Sequence, residues 1–144
     1  MECLICRNPI TIHQFQQILS LQEPKICSRC SSQMIENKGL SFPIRLYENN
    51  LFMRELVQRL KKGDFILYEI MIRRLVHIIS KFERDIGKIR AFSQDIYSTY
   101  PSSEVLVEKL LQHPFKLTGS QILFITDQLS LESEIPNQMI ISIL

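Results

Sequence analysis

The 144-residue sequence predicts an α/β protein preceded by a small cysteine-paired module. Three observations point there. The only four cysteines form two Cys-x2-Cys pairs within the first 31 residues. Apolar residues recur at helical spacing between residues 51 and 112. Two short apolar runs, Gln121 to Thr126 and Met139 to Leu144, have the length and β-branched content of buried parallel strands. The module is expected over residues 1–38 and the α/β domain over 39–144.

Hydrophobic residues make up 45% of the chain, which argues against disorder, and a chain of this length can bury roughly two thirds of its unfolded surface. No apolar run approaches the roughly 20 residues that a membrane-spanning helix needs. The opening MECLICRNPI lacks a cationic stretch followed by an apolar one, so it does not read as a signal peptide. The expected location is the cytoplasm, where thiols stay reduced and paired cysteines serve metals rather than disulfides.

In the module the spacing is Cys3-x2-Cys6, twenty residues, then Cys27-x2-Cys30. Two residues between cysteines let a tight turn aim both sulfurs at one point. Two such turns complete a tetrahedron of thiolates, which satisfies one zinc ion with no open position and makes the site structural. Free buried cysteines or two disulfides are the alternatives. His13 lies inside the module, but four cysteines already fill the shell.

A connector follows, with turn formers at Asn37, Gly39, Pro43 and Asn49-Asn50 and a short strand between Gly39 and Tyr47. Phe52, Met53, Leu56, Val57 and Leu60 predict a helix over 51–62, with Asn50 as N-cap and Gly63 as its stop. Asp64 is placed to cap a second helix from Phe65 to Phe82, with Ile66, Ile70, Leu75, Val76 and Ile79 on its buried face. Gly87 breaks that pattern. A third helix is expected over 103–112, with Val105, Leu106, Leu110 and Leu111 inward, and Pro114 ends it.

Charge is unevenly spread. Residues 54–90 carry 10 basic and 5 acidic side chains, whereas residues 91–144 carry 2 and 6. The basic stretch suits phosphate or nucleic acid, and it equally suits a solvated helix surface. Tyr97 and Tyr100 read as packing residues or as stacking surfaces for bases. His77 reads as a packed or surface histidine, and His113 as a cation-compatible helix end. Ser93 and Ser130 have no sequence-visible base, so neither reads as a nucleophile.

The four cysteines are followed by Leu46-Tyr47-Glu48, Phe52-Met53-Arg54-Glu55-Leu56 and Lys61-Lys62-Gly63-Asp64. In this order and spacing the sequence resembles the ComF family of late competence proteins. Arg90-Ala91-Phe92-Ser93-Gln94 is similar to that family's Arg-Gly-Phe-Asn-Gln segment. The resemblance implies an N-terminal zinc ribbon followed by a phosphoribosyltransferase-like α/β domain. The family's phosphoribosyl loop reads as an apolar strand, two acidic residues, two variable residues and Thr-Thr-Gly. Ile122 to Ile125 matches the strand, Thr126 and Asp127 stand at the acid positions, and Ser130, Leu131 and Glu132 stand at Thr-Thr-Gly.

That loop is degenerate. Leu131 has no hydroxyl, and Glu132 puts a side chain and a negative charge where a phosphate would sit. The stretches from Asp64 to Arg90 and from Gln94 to Asp127 are also shorter than the family's, so the transferase-like domain is expected to be incomplete. Asp127 and Ser130 are the remnant of the loop. The resemblance therefore implies a non-catalytic protein acting in DNA uptake or transformation through other competence or DNA-processing proteins. The alternatives are an active phosphoribosyltransferase-like enzyme using Asp127 and Ser130, or a zinc-ribbon adaptor that binds single-stranded DNA directly, and weakly, through residues 54–90.

Overall fold

The structure, a computed structural model, describes residues 2–10, 26–92, 101–129 and 139–144. His13, Ser93, Gln94, Tyr97, Tyr100 and residues 130–138 (Ser130, Leu131 and Glu132 among them) lie outside the described residues. The described elements are helix α1 (Ser28–Gln33), strand β1 (Ile44–Arg45), helices α2 (Leu51–Lys61) and α3 (Phe65–Ile79), strand β2 (Ile86–Ala91), helix α4 (Ser102–Leu110), and strands β3 (Gln121–Thr126) and β4 (Met139–Ser142).

The four strands form one sheet in the order β1-β4-β3-β2, and every pairing is parallel. The expected run at Gln121 to Thr126 coincides with β3, and β4 covers Met139–Ser142 of the second run. All six residues from Met139 to Leu144 are buried, as continuous apolar runs in parallel sheets require. Beyond β1 the pairing continues, with the amides of Leu46 and Tyr47 donating to the carbonyls of Ser142 and Ile143. Helix α4 packs on β2 and β3, and α3 packs on α4 and α2.

Local signals set the first two helices. The Asn50 side chain accepts from the Met53 amide at 2.8 Å and caps α2, while Gly63 at φ 87° takes the left-handed turn that closes it. Met53, Leu56, Val57 and Leu60 are buried. On α3 the buried residues are Leu67, Tyr68, Ile70, Met71, Leu75, Ile78 and Ile79. Ile66 and Val76, expected inside, are only half-buried. Leu67, Tyr68, Met71 and Ile78, outside that expected row, are buried because a helix pressed between two others buries a wider stripe than one periodic row predicts. The α-helix also stops at Ile79, short of Phe82, and a 3-10 turn carries Ser80–Phe82. There the Ser80 hydroxyl donates to the His77 carbonyl, a local bond that competes with the helical ladder.

Two expectations change near the sheet. Helix α4 ends at Leu110, and Leu111 is 61% exposed rather than inward. Gly87, which ends the helical pattern, lies within strand β2. A Cβ on Gly87 would stand 2.7 Å from the Gly119 carbonyl oxygen, and one on Gly119 would overlap the Asp85 backbone. Two glycines thus let the chains cross closely as β2 and β3 begin. The register slips between Ile86 and Lys88, so the buried Ile86 and Ile89 sit three residues apart and the strand's period of two is hidden.

The core is one continuous cluster. Cys3, Ile5, Cys27 and Cys30 belong to it together with the inward faces of α2, α3, α4 and the sheet.

Candidate metal centre and the carboxyl edge of the sheet

Each cysteine pair is aimed by its own backbone. In the first, the Cys3 amide donates to the Asn8 carbonyl at 2.9 Å and the Arg7 amide to the Cys3 carbonyl at 3.0 Å. Arg7 takes φ 65°, and Glu2 bridges Pro9 across the turn. In the second, Cys27 is extended at the N-cap of α1, and its sulfur accepts from the Cys30 amide at 3.4 Å. The one-turn step of the helix brings Cys30 round to the same side as Cys27.

The two turns converge. The sulfurs of Cys3, Cys6, Cys27 and Cys30 all lie within 4.8 Å of one another, and Cys6 and Cys27 stand 3.7 Å apart. A tetrahedron with metal–sulfur bonds of about 2.3 Å has edges of about 3.8 Å. The four cysteines are free thiols, not disulfides, and three are buried while Cys6 reaches the surface. The set fits a metal ion bound by four thiolates.

The chain prepares one thiolate in advance. Burial pushes the Cys3 thiol up, but backbone donors at Cys27, Cys6 and Ile5 outweigh it and bring it down to about 6. The amides of Ile5 and Cys27 reach its sulfur at 3.4 and 3.3 Å. Cys27 and Cys30 are raised, chiefly by burial, and neighbouring thiols add to this. A bound cation reverses that cost by compensating the negative charge.

Arg59 on α2 ties the module to the helices. Its Nη1 donates to the carbonyl of Ile5, between the first two cysteines, at 2.9 Å. Its Nε and Nη2 donate to Oδ2 of Asp64 at 3.0 and 2.8 Å. Asp64 occupies the N-cap position of α3, but its carboxylate makes no capping bond and is taken by Arg59 instead. No sequence spacing signals this: Arg59 and Ile5 are 54 positions apart.

The second candidate region is the edge where the parallel strands end, the place where ligands bind in many open α/β sheets. Asp127 follows β3 directly. Its carboxylate accepts from the Ser102 hydroxyl at the start of α4, and its amide donates to Ser103 Oγ at 3.3 Å. Ser102 and Ser103 are 3% and 4% exposed, and Asp127 gives each of these buried hydroxyls a hydrogen-bond partner. Nearby, Arg45 Nη1 donates to the carbonyls of Leu129 and Leu144, and Lys61 donates to Gln128 Oε1. Thr126, which precedes Asp127, is 1% exposed. These bonds fasten β1, α2, β3 and α4 to one another.

Neither described histidine, His77 or His113, belongs to the cysteine cluster. His77 is exposed on α3, and the His113 ring packs on Phe115 with centroids 4.6 Å apart. Among the described residues no helix is long and apolar enough to cross a membrane. The chain matches no protein-family model, no curated protein and no solved structure.

Proposed function

We propose that the chain is a zinc-stapled, ComF-like protein that acts without catalysis, in DNA uptake or transformation, through partner proteins in the cytoplasm. One observation carries the non-catalytic reading: both candidate centres spend their chemistry on structure. Four sulfurs leave a metal no open position for substrate, and the Asp127 carboxylate is engaged by Ser102. Zinc is the metal this donor set suits, because soft thiolates in a tetrahedron satisfy an ion without geometric preference of its own. The competence role is supported by the motif order from Cys3 to Asp64. The phosphoribosyl-loop remnant, Asp127 and Ser130, is read as inherited scaffolding.

Complementation tests the role. In a naturally transformable host lacking this gene, Asp127→Asn should restore transformation, because an amide still accepts from Ser102. Cys27→Ser should not. Failure of Asp127→Asn in a folded, metal-loaded protein would favour the enzyme reading. Calorimetric titration with phosphoribosyl pyrophosphate and magnesium should show no binding. An isotherm with Kd below about 100 micromolar, abolished by Asp127→Ala, would restore that reading as well; that bound is set by the several powers of ten that a lost acid and a charged obstruction remove.

A further inference from the structure

A cavity of about 490 Å³ lies between the cysteine module and α3. It falls within the range of small-molecule sites and holds about one nucleotide. Its walls have two characters. Met34 and Ile70 are apolar, and Tyr47 lies beside them. Opposite in character are Arg73, Arg74 and His77, which one turn of α3 brings to the same cavity. Glu36 is the one carboxylate among the lining residues, and it is half exposed.

Arg74 is only partly satisfied. Its Nη2 meets Glu36 at 3.5 Å, a long ion pair. Its Nε is buried and has no hydrogen-bond partner among the described residues. A largely buried guanidinium held by one long ion pair, with an unmatched N–H, favours an oxyanion, which a guanidinium can grip through two donors. Burial and the charge of Glu36 push the Tyr47 phenol up to about 12, partly countered by Arg74, so the hydroxyl stays protonated.

We infer that this cavity binds a nucleoside phosphate, with the phosphate on Arg73 and Arg74 and the flat ring against Met34, Ile70 and Tyr47. The ligand is either a free mononucleotide or one unit of a single strand, and it occupies a site distinct from the carboxyl edge of the sheet. The site goes beyond the scaffold role proposed above and does not depend on Asp127.

The test is calorimetry on the full, metal-loaded chain with adenosine 5′-monophosphate, adenosine and inorganic phosphate as separate probes. The monophosphate should bind with Kd below about 1 mM, and each fragment at least about tenfold more weakly, since each loses one of the two kinds of contact. Arg74→Gln should weaken the monophosphate at least about tenfold, while Lys88→Gln, which removes an exposed charge on β2, should not. Metal content and far-UV circular dichroism confirm that both variants are folded. A labelled oligothymidylate then identifies the source. Binding lost in Arg74→Gln and displaced by the monophosphate assigns a strand unit, and no strand binding assigns the free nucleotide. No monophosphate isotherm, binding unchanged by Arg74→Gln, or inorganic phosphate binding as tightly as the nucleotide would each overturn the inference.

Discussion

The cysteine centre and the carboxyl edge of the sheet solve the same problem, holding distant segments together, with opposite means. At the centre, two short turns present four sulfurs in an arrangement that a single bound ion would lock. At the edge, Asp127, Ser102, Ser103, Arg45 and Lys61 come from different elements and are locked by ordinary hydrogen bonds. Metal–thiolate bonds contribute on the order of 10 kcal/mol to folding a small site, and one charged hydrogen bond about 1–3 kcal/mol. The first region is therefore switchable by one agent, and the second only by dismantling it bond by bond.

The sharpest way to break the comparison is to remove the metal. Chelation, or Cys27→Ser, should abolish stoichiometric zinc and loosen residues 2–10 and 26–33, at a cost on the order of 10 kcal/mol in linked binding energy. Helices α2 and α3 should persist, because Met53, Leu56, Leu67 and Leu75 are buried by other means. Hydrogen exchange would show protection lost at the module and kept in those helices. Uniform loss would mean that the two regions fold as one unit.

Next in size is the pH dependence of metal affinity. Cys27 and Cys30 are raised and must release their protons, while Cys3, lowered to about 6, is already a thiolate at neutral pH. Affinity should therefore rise steeply with pH, by at least about a hundredfold per unit near pH 7 from these two protons alone. Below about pH 6 protonation of Cys3 should steepen the loss. Competition titrations at several pH values measure the slope, and a flat profile would contradict the assignment of these ligands.

At the edge, Asp127→Ala should destabilise the fold by about 1–3 kcal/mol, because it removes the carboxylate that accepts from the buried Ser102 hydroxyl, while the backbone amide at 127 still donates to Ser103 Oγ. Asp127→Asn should cost less. A denaturant midpoint unchanged by Asp127→Ala would show that the edge contributes nothing and reopen a ligand role for the carboxylate.

Arg59→Ala links the two regions and should cost about 1–2 kcal/mol, since its ion pair is partly exposed but the Ile5 carbonyl loses its donor. It should also lower zinc affinity without removing a ligand. Equal affinity in the variant and the parent chain would make the contact incidental.

The smallest effect concerns DNA. Arg54, Arg84, Lys88 and Arg90 are exposed but interleaved with Glu55, Glu83 and Asp85. Non-specific binding at physiological salt should be no tighter than about micromolar. A nanomolar, salt-resistant complex in fluorescence anisotropy would turn the molecule from a partner-driven scaffold into a direct DNA binder.

Much of this was written locally in the chain. Cys-x2-Cys spacing, the Asn50 cap, the Gly63 stop and the apolar run at β3 each act over a few residues, so the sequence alone determined which four cysteines converge, helix α2 and two parallel strands. Tertiary structure decided the rest. Strand β2 was hidden because a register shift and two close-packed glycines break its period. The buried stripe of α3 extends beyond its periodic row to Leu67, Tyr68, Met71 and Ile78 because two neighbouring helices, not one, set its faces. Arg59 and Ile5, Asp127 and Ser102, and the cavity walls from Met34 to His77 are joined only by folding, across separations that leave no periodic trace. Short-range geometry is encoded by spacing, whereas a contact between distant segments exists only after the core has placed both ends.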